Sequence, residues 1–125
     1  MHKTLFIAAL SGFLVVLLGA FGAHALETRI HVDLLATWNT SVHYHMFHTL
    51  ALFGLGLLQR DHADNPGLKR ATKLFVGGIG LFCGSLYVLA LSGVRVLGMV
   101  TPIGGVLFLV AWAQLALVCY RLRKA

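Results

Sequence analysis

Three histidines on one apolar stretch are the residues of this chain best suited to chemistry. His43, His45 and His48 lie close together, and a helix would carry His45 and His48 on one face, about 60° apart. His24 stands at the end of the preceding apolar stretch. Imidazole nitrogens bind zinc, copper and haem iron, so His24, His45 and His48 form a candidate site for haem b, copper or zinc.

A structural role fits the same histidines. The chain lacks the Glu of an H-E-x-x-H motif, the paired cysteines of a zinc site and the C-x-x-C-H of c-type haem attachment. Histidines buried in membrane bundles hydrogen-bond across helices or to backbone carbonyls. We therefore expect a hydrogen-bonded structural role and no cofactor, with the haem or metal site as the alternative.

No catalytic set can be assembled from the remaining polar residues. Ser41, Ser85 and Ser92 are the candidate hydroxyls, while the four acidic residues stand between the apolar stretches. No glycine-rich phosphate loop follows a strand pattern. We therefore expect that the protein is not an enzyme.

The elements that carry these residues are predicted to be transmembrane helices. Of the 125 residues, 58% are hydrophobic and only 11% are charged, against roughly 25% charged in soluble domains. Four stretches lack Lys, Arg, Asp and Glu, and each can cross a hydrocarbon core of about 30 Å as a helix. The sequence predicts an all-α, integral membrane bundle of four transmembrane helices in one domain, residues 1–125. The helices are expected at about 4–26, 36–59, 71–93 and 100–121, with Trp38 as an interfacial anchor.

The basic residues predict the orientation of this bundle. With four spans, the N-terminus, the connection between helices two and three and the C-terminal tail lie on one side. That side holds eight of the ten Lys and Arg residues, and the other holds Arg29 and Arg95. The positive-inside rule then places both termini in the cytoplasm. Topology accounts for the net charge of +6, and no basic helix face with interleaved aromatics points to nucleic acid.

Small residues inside the spans predict close helix packing. Gly80 and Gly84 form a small-xxx-small pair, the spacing that lets membrane helices approach each other. We expect packing within a tight four-helix bundle, with an oligomer interface or a close substrate path as the alternative. The predicted packing glycines are Gly12, Gly19, Gly22, Gly80, Gly84, Gly104 and Gly105.

Four motifs carry a family resemblance. They are GAFGAH at 19–24, Tyr44 with HTLA at 48–51, GSLY at 84–87 with LAL at 89–91, and TPIGG at 101–105. Over nearly the whole chain this set resembles the DUF423 family of small membrane proteins, which includes YgdD-like and YwdK-like bacterial members and transmembrane protein 256. The resemblance implies four helices and a bacterial inner-membrane location, and it brings no established activity. It also implies that Gln is common at position 45, so that a three-histidine site would be particular to this chain.

In a four-helix topology these motifs meet in the outer half of the membrane. Polar groups gathered at one depth predict a small pocket for a ligand, a lipid headgroup or a partner helix. A network that only locks the helices together is the alternative. The candidate residues are His24, Tyr44, His48, Ser85, Tyr87 and Thr101.

Taken with the absence of a catalytic set, the pocket predicts an accessory subunit or a small ligand-binding or lipid-binding module. Its expected partners are the bilayer and either a second copy or a larger membrane complex. A haem or metal protein and a transport pore assembled by oligomers are the alternatives.

Overall fold

The computed structural model describes residues 2–123, and these residues fold into helices without a strand. Two of the long helices contain a π-helical turn, and a short 3-10 turn leads into the last helix. The elements are α1 (His2–Phe21) with a π turn (Gly22–Leu26), α2 (Val32–Leu58), α3 (Pro66–Gly78) with a π turn (Ile79–Cys83), α4 (Gly84–Ser92), a 3-10 turn (Arg95–Met99) and α5 (Thr101–Arg123).

Two helices begin several residues before the predicted positions because side chains cap them. His31 Nδ1 accepts the Asp33 backbone N–H at the start of α2. Asn65 Oδ1 accepts the N–H groups of Gly67 and Leu68 at the start of α3, and Pro66 follows it at the first helical position. The charged residues of the first turn of α3 led the sequence prediction to start this helix too late.

The helices run antiparallel, so that one end of the bundle gathers the start of α1, the end of α5 and the connection between α2 and α3. At this end Gly56 of α2 lies against Leu5 of α1, and Gly67 of α3 lies against Val118 of α5. We call it the basic end, because it carries Lys3, Arg60, Lys69, Arg70, Lys73, Arg121 and Arg123.

Helix α3, its π turn and α4 form one continuous helix, Pro66–Ser92, which we call the α3–α4 helix. The core lies between α2, the α3–α4 helix and α5. Phe75, Leu52 and Leu68 are fully buried in its main cluster, and Phe108 of α5 packs into the same cluster. A second cluster at the opposite end centres on Trp38. Helix α1 packs along α2, while an open cleft separates α1 from the α3–α4 helix.

The prediction of four membrane-spanning helices is met only in part. Within residues 2–123, three helices are long and apolar enough to cross a membrane, namely His2–Leu26, Pro66–Ser92 and Arg95–Arg123. Helix α2 has 27 residues but is not among them. Its apolar residues are interrupted by polar ones, including His43, His45 and His48, which lower its mean hydropathy.

Candidate functional site

A chain of hydrogen bonds joins α1, α2 and α4 at the middle of the bundle. Ser11 Oγ of α1 lies 2.9 Å from His45 Nε2 and 2.6 Å from Thr49 Oγ1. His45 Nδ1 lies 2.9 Å from the Tyr87 hydroxyl of α4. Ser11, His45 and Thr49 are all buried. We call these four residues the Ser11 network.

Both ring nitrogens of His45 are engaged in this network. In either neutral tautomer one nitrogen donates and the other accepts, and hydroxyl groups on both sides can supply the complementary role. The Ser11 network therefore satisfies a buried imidazole without an outside partner. A metal ion at His45 would have to displace Ser11 or Tyr87.

His48 is enclosed by α5 and its own helix. The Trp112 indole N–H donates to His48 Nε2 at 3.1 Å, and His48 Nδ1 lies 2.8 Å from the Tyr44 carbonyl oxygen. An indole only donates and a carbonyl only accepts, so the imidazole is neutral with its proton on Nδ1. The ring also stacks on Phe108 with 3.6 Å between centroids. His48 thus has no free nitrogen and acts as a link between α2 and α5.

The six predicted pocket residues do not form one cluster. Ser85 and Thr101 hydrogen-bond each other at 2.7 Å and connect α4 to α5. Tyr87 belongs to the Ser11 network, while Tyr44 is exposed and packs on Phe82. His24 is exposed in the first π turn. Four of the six residues, namely His48, Tyr87, Ser85 and Thr101, form side-chain hydrogen bonds between helices, and these bonds lie at three separate places.

The alternative metal site is not assembled in the described residues. No three His, Cys, Asp or Glu side chains within residues 2–123 are grouped so that they could hold a metal ion. His24 lies at the surface, and His45 and His48 use both of their nitrogens elsewhere. His24, His45 and His48 therefore do not come together in one site.

Sequence reasoning missed several residues that hold the histidines in place. Ser11, Thr49 and Trp112 were not singled out, although Ser11 is one of few polar residues in the first apolar stretch. The interpretation of Trp38 as an interfacial anchor was wrong, since it is 1% exposed and its indole donates to the Leu18 carbonyl at 3.0 Å. Only the tertiary structure shows that these residues face each other.

The predicted packing glycines divide into three groups. A Cβ on Gly104 would overlap the backbone of Phe82, and a Cβ on Gly22 would lie 2.5 Å from Trp38 Nε1, so both positions require glycine. Around Gly80 and Gly84 a Cβ would meet nothing within 4 Å, so the prediction that this pair packs within the chain was wrong. The remaining positions, where a Cβ would make ordinary contacts, are Gly12, Gly19 and Gly105.

Gly80 and Gly84 instead line the open cleft between α1 and the α3–α4 helix. The cleft has a volume of about 370 Å³ and is walled by Leu10 and Leu14 on one side and Ile79 on the other. We call this space the α1 cleft. Ser11, His45 and Tyr87 of the Ser11 network are among its lining residues, and most of the remaining lining is apolar.

The comparisons with known proteins agree with the four motifs. A family model described as "Protein of unknown function (DUF423)" matches residues 18–105. The UPF0382 membrane protein YwdK of Bacillus subtilis is 40% identical over 115 residues, which are 92% of this chain and 94% of the relative. The UPF0382 inner membrane protein YgdD of Escherichia coli is 41% identical over 120 residues, which are 96% of this chain and 91% of the relative. No solved structure gives a significant match. The chain belongs to the DUF423 family, as its motifs predicted.

Proposed function

We propose that this protein is a non-enzymatic, multi-pass protein of the inner membrane that binds a lipid acyl chain in the α1 cleft. In this proposal the polar residues are internal links that hold the helices in position. The cleft is the binding element, and the protein works without a resident cofactor. The name of the relative YgdD, an inner membrane protein, supports the location.

We further propose that α2 crosses the membrane together with the three more apolar helices. Four of its polar side chains, Ser41, His45, His48 and Thr49, are buried and hydrogen-bonded, while the exposed Asp33, Asn39 and His43 lie in the half nearer its N-terminus. A polar residue within the bilayer is tolerated when it faces the bundle and has a partner. Helix α2 also runs antiparallel to α1 along much of its length, which a span of opposite direction requires.

Charge supports cytoplasmic termini in this arrangement. Within the described residues the basic end holds seven Lys and Arg residues, and the opposite end holds Arg29 and Arg95. Basic residues in short connections are retained on the cytoplasmic side of a membrane. The basic end would therefore face the cytoplasm.

The observation that carries the proposal is the open space beside Gly80 and Gly84. Glycines at this spacing normally let two helices touch, but α1 stays apart from this pair and leaves a cleft with apolar walls. Its volume of about 370 Å³ falls in the range of small-molecule sites, roughly 300–1,000 Å³. In a membrane the abundant apolar ligand that can enter such a cleft is a lipid acyl chain.

Photolabelling tests this proposal. The full chain is placed in phosphatidylcholine nanodiscs that contain a lipid with a diazirine in its acyl chain, and the labelled peptides are identified by mass spectrometry. We expect strong labelling of the cleft wall at Leu10 and Leu14. Gly80→Leu with Gly84→Leu should reduce it to the level of the lipid-facing surface of α5, because leucine fills the cleft.

Gly54→Leu is the matched control, since Gly54 is an exposed helical glycine with nothing near its Cβ. It should leave labelling unchanged. Equal labelling in all three proteins would overturn the proposal. So would a stable dimer that Gly80→Leu dissociates, because a helix of a second copy would then occupy the cleft.

A further inference from the structure

A second cavity opens at the basic end, next to the α1 cleft. It has a volume of about 640 Å³ and lies between the start of α1, the end of α2 and the first turns of α3. Ile7 and Val76 line both spaces, so the two are neighbours along α1. We call the second cavity the basic pocket, and its polar lining includes Lys3, Gln59, Lys69, Thr72 and Lys73.

Gln59 leaves an unpaired acceptor at this pocket. Its side chain is 4% exposed, and Nε2 donates to Thr72 Oγ1 at 3.3 Å. The single hydroxyl proton of Thr72 is donated to the Leu68 carbonyl at 3.0 Å, so Thr72 can only accept from Gln59. This arrangement sets the orientation of the amide and leaves Oε1 buried without a partner in the described residues. A buried acceptor of this kind is costly unless a donor reaches it.

The charge of the pocket selects an anion. Lys3, Lys69 and Lys73 line it, and no Asp or Glu of the described chain is among its lining residues. Within residues 2–123 none of these lysines forms an ion pair with an acidic side chain. The pocket therefore combines three uncompensated cations with one buried acceptor.

Resting on the proposed function, we propose that the ligand is an anionic phospholipid whose headgroup carries hydroxyl groups, as in phosphatidylglycerol. Its phosphate lies among the three lysines, a headgroup hydroxyl donates to Gln59 Oε1, and an acyl chain extends past Ile7 and Val76 into the α1 cleft. A choline headgroup has no donor for Gln59. Choline and ethanolamine headgroups also carry a positive charge that the lysines repel.

Native mass spectrometry of the full chain in detergent tests this assignment with lipids of identical acyl chains. We expect phosphatidylglycerol to bind more tightly than phosphatidylcholine by roughly tenfold or more, given the attraction of several lysines for an anionic lipid. Phosphatidylmethanol has the same charge but no headgroup hydroxyl. It should bind less tightly than phosphatidylglycerol by roughly threefold to tenfold, the contribution of one hydrogen bond.

Two variants locate the effect. Lys3→Gln with Lys69→Gln and Lys73→Gln should abolish the preference for phosphatidylglycerol over phosphatidylcholine. The control variant, Arg70→Gln with Arg121→Gln and Arg123→Gln, removes three positive charges from the same end of the bundle, at residues that do not line the pocket. It should keep the preference for phosphatidylglycerol. Gln59→Leu should make phosphatidylglycerol bind only as tightly as phosphatidylmethanol.

Equal binding of phosphatidylglycerol and phosphatidylcholine by the wild-type chain would overturn the assignment, as would equal losses in the two charge variants. Equal binding of phosphatidylglycerol and phosphatidylmethanol would overturn the role of Gln59. These wild-type comparisons do not depend on the folding of any variant. If headgroup preference is absent while acyl-chain labelling of the cleft still responds to Gly80→Leu, this inference fails and the proposed function stands.

Discussion

Glycines of the α3–α4 helix and of its neighbours lie at two different interfaces, one closely packed and one open. Toward α5, Gly78 lies directly against Phe108, and Gly104 of α5 lies directly against the backbone of Phe82. Toward α1, Gly80 and Gly84 face open space. The first contact, which we call the α5 seam, is closed, and the second, the α1 cleft, is open.

The difference shows that a small residue has two uses in a membrane bundle. In the α5 seam glycine permits backbone contact, which gives dense packing where no hydrophobic effect drives helices together. In the α1 cleft the same residue leaves room for a ligand. Helix α1 is held at a distance there, because it is joined to the bundle through α2 and the Ser11 network.

The largest expected effect breaks the α5 seam. Gly104→Leu places a side chain on the backbone of Phe82, which cannot move aside as a flexible side chain would. We expect a loss of about 3 kcal/mol in the free energy of unfolding, the upper end of the cost of overpacking. Unfolding by sodium dodecyl sulfate, followed by far-ultraviolet circular dichroism, measures it.

Gly80→Leu is the paired substitution on the open side. It should change the free energy of unfolding by no more than about 0.5 kcal/mol, as for exposed positions. Similar losses for Gly104→Leu and Gly80→Leu would show that the two faces do not differ.

An intermediate effect is expected when α1 loses its polar connection. Ser11→Ala removes the bonds of Ser11 to His45 and Thr49 and leaves both partners buried. Interhelical hydrogen bonds in bilayers average about 0.6 kcal/mol each, so we expect a loss of about 1 kcal/mol in the free energy of unfolding. Thr40→Val is the control, because that exposed hydroxyl bonds only its own helix at Ala36. A variant as stable as wild type would show that the Ser11 network does not hold α1.

A smaller loss than that of Ser11→Ala tests the contact that His48 makes between α2 and α5. Trp112→Phe keeps an aromatic ring against Phe75 but removes the indole donor to His48. We expect a loss of about 0.6 kcal/mol in the free energy of unfolding. A double-mutant cycle with His48→Leu should return a coupling energy of the same size. A coupling energy of zero would mean that the hydrogen bond contributes nothing to the contact between α2 and α5.

The fold was more predictable than the site. Long stretches without charge predicted helices. The cap of α3 at Asn65 and Pro66 was overlooked, although its chemistry is visible in the sequence, and the helix was expected only from about residue 71. The four motifs predicted the family. The predicted pocket, in contrast, depended on the relative rotation of the helices, which the sequence does not contain. His24 is therefore exposed, and Ser85 and Thr101 pair with each other, while His48 pairs with Trp112.

The apolar composition and the positions of the basic residues along the chain determined by themselves that this is a helical membrane protein with a basic end. Each residue contributes its own hydrophobicity and charge, and these contributions can be read without knowing the tertiary structure. The tertiary structure alone decided that His45 and His48 are saturated by Ser11, Tyr87 and Trp112, and that Gly80 and Gly84 border a cleft. Such outcomes depend on the rotation and separation of whole helices. Those quantities are set by all contacts along a helix together, and no local spacing of residues specifies them.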